Sequence, residues 1–141
     1  MIAYLDTSAF LKLYLNEPGS NQVRHLVKSS AATCTHVVTY AEMCAGLARA
    51  SRMLRLDTAQ YEHQKHCFMS DWAAMHTLSV DETVIRRAGV LAEGFELRGY
   101  DSVHLAAAES IWRQLNTSFQ FAAFDCKLLD AARLLGMGTL D

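Results

Sequence analysis

Short apolar runs alternate with amphipathic segments along the whole chain. Residues 2–5 form a continuous apolar run, the pattern of a strand covered on both faces. Asp6-Thr7-Ser8 favours a helix N-cap, and residues 9–15 then predict a short, strongly apolar helix. The stretch 16–20 holds the single proline and reads as a turn. Val23, Leu26 and Val27 recur at helical spacing, and residues 33–38 are β-branched enough for a strand. Thr39 is a candidate cap for a helix with Tyr40, Met43, Cys44 and Leu47 on one face and Glu42 in its first turn. That helix either continues through Arg49, Arg52 and Arg55 or breaks near Leu54.

Asp57-Thr58 opens a further helix to about Trp72, residues 78–80 predict a brief strand, and Asp81 caps a helix carrying Val84, Ile85, Ala88 and Leu91. Gly99 ends the loop before a helix from about Tyr100 to Trp112. Residues 119–124 form an apolar, aromatic strand, Asp125 begins another helix, Gly136 stops it, and residues 137–140 suit an edge strand. Strands alternating with helices imply an α/β fold: a mostly parallel central sheet of about four to five strands flanked by helices in three layers.

A length of 141 residues suits a single domain spanning 1–141. With 51% hydrophobic residues the chain is not mainly disordered, and a net charge of −2 argues against a strongly basic nucleic-acid clamp. No uncharged apolar run reaches a membrane-spanning length, and Asp6 interrupts the first apolar stretch, so a soluble, cytoplasmic protein is expected. The four cysteines are widely spaced and apolar-flanked, as buried thiols are.

Asp6 and Asp125 occupy equivalent places, each after an apolar strand and at the head of a helix. Ligands of open α/β sheets bind outside the carboxyl ends of the strands, so both acids fall on one edge. Glu42 and Asp101, also at helix starts, can join them. Each alone could serve merely as a cap or first-turn residue, favoured by the helix dipole. Four acids on an apolar rim repel one another unless a cation joins them, and hard divalent ions take oxygen ligands. The chemistry inferred is metal-assisted attack of water on a phosphodiester.

These segments resemble a PIN-domain ribonuclease, and within that family the VapC-type toxins of toxin–antitoxin pairs. The matching stretches are Tyr4-Leu5-Asp6-Thr7-Ser8-Ala9, Thr39-Tyr40-Ala41-Glu42, Gly99-Tyr100-Asp101-Ser102-Val103-His104-Leu105-Ala106-Ala107-Ala108 and Phe124-Asp125-Cys126-Lys127-Leu128-Leu129, in order over nearly the whole chain. The resemblance implies a PIN-like fold and a metal-dependent endoribonuclease. It assigns Asp6, Glu42, Asp101 and Asp125 as the acidic, metal-binding site, with Asp6 and Asp101 the firmest ligands of one or two Mg²⁺ or Mn²⁺ ions. Ser8 or Thr7 matches the hydroxyl that follows the first acid, and His104 lies one turn beyond Asp101 on the same helical face. Many members carry a hydroxyl residue two places before the last acid. Here that place is Ala123, which leaves Asp125 as a direct ligand, a ligand of a second ion, or a carboxylate behind a direct ligand. An RNA substrate, a cognate antitoxin and a homodimer are the implied partners, with no membrane. A PIN-like RNA- or protein-binding module without cleavage is the alternative.

Other motifs carry less. His63 and His66 have zinc-ligand spacing but read as solvated helix residues, and no GxSxG surrounds any serine. Arg49, Arg52 and Arg55, and separately Arg86 and Arg87, form basic spots that suit either surface pairing or phosphate contact. Trp72 and Trp112 suit core packing or base stacking. Residues 10–15 and 23–27, with the helix of Glu42, are expected contact surfaces for a partner.

Overall fold

A computed structural model describes residues 1–140. The elements are β1 (Ile2–Leu5), α1 (Thr7–Leu11), α2 (Ser20–Ser29), β2 (Ala32–His36), α3 (Thr39–Arg52), α4 (Thr58–Trp72), β3 (His76–Leu78), α5 (Glu82–Phe95), α6 (Gly99–Trp112), β4 (Phe119–Ala122), α7 (Cys126–Leu135) and β5 (Gly138–Thr139). The strands form one parallel sheet in the order β3-β2-β1-β4-β5, so the first strand is the central one.

The pleat of β1 sends its residues to alternate faces. Ala3 and Leu5 enter an aromatic core with Phe10, Tyr14 and Phe68, built by α1–α4. Tyr4 enters the opposite core with Phe121, Leu105 and Leu128, covered by α5–α7. The sheet is thus the middle of three layers, as the alternating pattern predicted. Helix α6 is buried nearly all round through Leu105-Ala106-Ala107-Ala108, where small side chains let it lie close to the sheet. Its buried Glu109 receives hydrogen bonds from Arg87 of α5 at 2.7 and 2.9 Å and from Arg113 at 2.8 Å.

Several boundaries differ from the sequence reading. The strand expected at 33–38 ends at His36, because the Val38 N–H turns back to His36 Nδ1 (3.0 Å). Thr39 does not cap α3: its hydroxyl bonds Thr35 (2.7 Å), and it lies inside the first turn. The apolar segment 9–15 is helical only to Leu11 and continues as tight turns. The strand expected at 78–80 lies at His76–Leu78, pairing with Cys34–His36. That at 119–124 stops at Ala122, and the C-terminal edge strand is Gly138–Thr139. Helix α3 ends at Arg52, and Leu54 follows in the left-handed region (φ 58°).

That break takes Arg55 off the helix, where it pairs with Glu17 at 2.8 Å. Arg86 pairs with Glu82 and Arg87 with Glu109, so the second basic spot is neutralised, while the first keeps Arg49 and Arg52 on α3. The apolar side chains of residues 10–15 and 23–27 mostly serve the core; Phe10, Leu13, Tyr14 and Val27 also reach a groove of about 310 Å³ that they share with Arg24, Lys28 and Asp71. All four cysteines are free thiols, but only Cys34 is buried, and Cys126 is exposed at the start of α7. No helix among the described residues is long and apolar enough to cross a membrane.

Candidate active site at the carboxyl edge of the sheet

Asp6 stands at the end of the central strand and caps α1. Its Oδ1 accepts the Ala9 N–H (2.8 Å) and the Ser8 hydroxyl (2.7 Å). The residue is only 4% exposed. Its carboxyl is raised to about 6, mainly by burial and slightly by the nearby Asp101 carboxylate, against the field of His104 and the two hydrogen bonds, which pull it down. An acid so placed is ionised at neutral pH, at a cost that a cation would remove.

Asp101 lies in the first turn of α6, the central helix, and its Oδ2 accepts from Arg98 Nε at 2.9 Å. Arg98 precedes the helix with its side chain exposed, and the Asp125 carboxylate also acts on it. Asp125 caps α7 by accepting the Leu128 N–H (2.9 Å). Arg98 therefore lies among the acids as the chain's own cation. The sequence reading passed over it, although an arginine three residues before an acid at a helix start is an i,i+3 pair visible in the sequence.

Glu42 is placed differently. Its Oε1 accepts the Thr7 hydroxyl (2.7 Å) and His104 Nε2–H (2.8 Å). Burial would raise this carboxyl, but the bonds from His104 and Thr7 and the fields of His104 and His36 hold it below the usual glutamate value. His104 is buried, and its Nδ1 lies 2.9 Å from Tyr4 Oη. An ionised Glu42 can only accept, so Nε2 donates to it, and Nδ1 shares the other hydrogen bond with the Tyr4 hydroxyl. Tyr4, His104, Glu42 and Thr7 form one buried-to-rim chain of hydrogen bonds. His36 lies beside it: buried, with no hydrogen-bond partner for Nε2, it is held below the ordinary histidine value by burial and by His104, against the pull of Glu42. Tyr4 and His36 escaped the sequence reading because each sits inside a strand pattern that explains it locally.

Glu42, Arg98, Tyr100 and Asp101 line one open cleft of about 740 Å³, with Ile85 and Ala88 on its apolar side. Among the described residues no three His, Cys, Asp or Glu side chains gather closely enough to enclose an ion. The donor set still suits a magnesium-like ion, which takes one or two carboxylates and fills its remaining positions with water and phosphate oxygens. Asp6, buried and pressed by a second carboxylate, is where such an ion would relieve the most unfavourable charge.

A model of the PIN domain matches residues 3–134. Ribonuclease VapC49 of Mycobacterium tuberculosis is 34% identical over 110 residues, covering 78% of this chain and 76% of the relative. Ribonuclease VapC46 of the same organism is 31% identical over 137 residues, covering 97% and 95%. A toxin–antitoxin complex from Klebsiella pneumoniae superposes with a TM-score of 0.62 at 14% identity, over 87% of this chain and 86% of the other, which shows the shared fold. On the family match and these identities, the chain belongs to the PIN-domain family.

Proposed function

We propose that this protein is a divalent-metal-dependent endoribonuclease and the toxin of a type II toxin–antitoxin pair. The observation that carries the metal-dependent step is the state of Asp6, a buried carboxylate with a raised pKa beside a second carboxylate. The VapC ribonucleases it resembles support RNA as the substrate.

Asp6 and Asp101 would hold Mg²⁺ or Mn²⁺, with Asp125 beside Arg98 available to a second ion or to water around the first. Such ions lower the pKa of a bound water and offset charge on the leaving oxygen. The chain's own groups do the positioning. Ser8 and the Ala9 N–H fix Asp6 through Oδ1, and Thr7 and His104 hold Glu42 at the cleft wall where it can orient water. Arg98, exposed at the rim, can exchange its bond to Asp101 for a substrate phosphate oxygen. Hydrolysis by water leaves a 5′-phosphate on the RNA product.

The chain works in the cytoplasm as a homodimer and is held silent by a cognate antitoxin, as the complex from Klebsiella pneumoniae pairs a toxin with its antitoxin. The groove lined by Leu13, Val27, Arg24, Lys28 and Asp71 offers an amphipathic antitoxin segment an apolar floor and a charged wall.

The test is cleavage of structured RNA by the purified chain in Mg²⁺ or Mn²⁺. Activity should vanish in EDTA and in Asp6→Asn, and the products should carry 5′-phosphates. Cleavage that persists in EDTA overturns the metal step. RNA binding without cleavage in any divalent ion overturns the enzyme reading and leaves a binding module.

A further inference from the structure

Phe124 is the second residue after the end of β4 and immediately precedes Asp125, and its ring is held at the rim of the acidic edge without being covered. Its backbone N–H donates to Ser8 Oγ at 3.2 Å, and that hydroxyl donates to Asp6 Oδ1 at 2.7 Å. Two hydrogen bonds therefore tie Phe124 to the buried carboxylate. The Lys12 ammonium lies 4.3 Å from the ring centroid, and Glu17 fixes that ammonium at 2.9 Å. The ring edge rests on Gly19, which sits at φ +92°; a Cβ there would fall 2.5 Å from Cε1, so glycine makes the seat. Clamped in this way, Phe124 remains 37% exposed.

A phenylalanine fixed on three sides and left open to solvent forgoes part of its burial energy. The two tryptophans are spent otherwise: Trp72 packs with Phe10, Tyr40 and Phe68, and Trp112 lies against Gly136. Tyr100 is a second exposed aromatic side chain beside the acids, next to Asp101 in the cleft; Phe124 is the one seated on Gly19 and Lys12.

We infer that Phe124 is the stacking platform for a nucleobase of the RNA strand beside the phosphate that is cleaved. The inference rests on the ribonuclease reading. Any base has a π-face, so such a platform grips single-stranded RNA without choosing its sequence, while Lys12 and Arg55 share the single carboxylate of Glu17, and the net positive charge of the three favours a polyanion over a neutral partner. The hydrogen-bond chain from Phe124 through Ser8 to Asp6 sets the platform's position relative to the carboxylate.

The test measures affinity for a fluorescent single-stranded RNA of about 12 nucleotides. The full-length protein is used in EDTA, so that binding is read without cleavage. Phe124→Leu keeps the apolar contacts to Gly19 and Lys12 but removes the π-face. It should bind about tenfold more weakly, Phe124→Trp should restore binding, and Leu134→Ala, an exposed position at the far end of α7, should match the wild type. Replacing the RNA nucleotides one at a time by abasic sites should reveal one position at which wild type and Phe124→Leu become equal. A 2-aminopurine at that position should be quenched by the wild type and not by the variant.

Equal affinities of wild type and Phe124→Leu, or an undiminished difference with every abasic strand, overturn the inference. So does a wild type that binds no RNA. Unchanged RNA affinity with lost self-association in sedimentation also overturns it and assigns the ring to contact between copies of the chain. If the abasic position is found but no divalent ion supports cleavage, the ribonuclease reading fails while the platform stands. If cleavage is intact and Phe124→Leu is silent, the platform alone fails.

Discussion

Asp6 and Glu42 follow neighbouring strands on the same edge of the sheet, yet their surroundings drive them in opposite directions. Asp6 is buried, collects both its hydrogen bonds on one oxygen and faces Asp101, so its carboxyl is raised to about 6. Glu42 is half-buried and receives a hydroxyl and an imidazole N–H, so its carboxyl is lowered. The protein completes the environment of Glu42 from its own side chains and leaves that of Asp6 short of positive charge. A carboxylate whose needs are met internally orients what surrounds it; one whose needs are not met is ready for an external cation.

The sharpest way to break this contrast is Asp6→Asn. The amide can still accept from Ser8 and Ala9, so the fold should persist with a melting temperature equal to or above that of the wild type. Removing a ligand that contributes several kcal/mol to charge stabilisation should lower cleavage by more than about 100-fold. Cleavage within a few-fold of the wild type would show that the two acids do not differ in the way described.

The next largest effect is on stability against pH. Between about 4 and 6 folded Asp6 keeps a proton that the unfolded chain has released, so acidification from pH 7 to 4 should stabilise the protein through this group. The shift is worth on the order of 3 kcal/mol, read as the difference between wild type and Asp6→Asn in denaturant titrations across that range. Magnesium at pH 7 should recover part of the same energy in the wild type alone. Glu42 acts with the opposite sign: its contribution is present above the ordinary glutamate value and is lost as pH falls below it.

Smaller effects sharpen the Glu42 side. Tyr4→Phe leaves the buried His104 Nδ1 without its hydrogen-bond partner and should cost about 2 kcal/mol in chemical denaturation. Glu42→Gln keeps an acceptor for Thr7 and His104 but removes the charge, so a cost of about 1 kcal/mol is expected. A larger cost for Glu42→Gln than for Tyr4→Phe would mean that the charge, rather than the satisfied imidazole, holds this network together.

The fold was legible where signals are local. Asp6, Asp57, Asp81 and Asp125 each accept the backbone N–H three residues on, so four helix starts stand in the sequence as an aspartate ahead of an apolar period. Asp6 and Asp125 were legible as site candidates for the same reason, since a cap at a strand's end is also a carboxylate at the sheet's edge. Strand ends were less so, because His36 and Ala122 are followed by residues just as apolar or β-branched whose backbone bonds go elsewhere. The links that depend on distant partners left no local trace: Tyr4 with His104, Arg87 with Glu109, and Phe124 seated on Gly19. Arg55 looked like the end of a basic stripe until the left-handed Leu54 turned it towards Glu17.

The first of the five strands to be made is also the central one, and both its neighbours come later in synthesis. Ile2 aligns with Ala32 on one side and with Phe119 on the other, so β1 waits at the middle of an unfinished sheet while most of the polypeptide is produced. Asp6 cannot take up its final seat until β4 has left the ribosome, and Phe124 and Asp125 follow immediately behind. The acidic edge is thus the last part of the sheet to be assembled, although its central strand is the first of the five to be made.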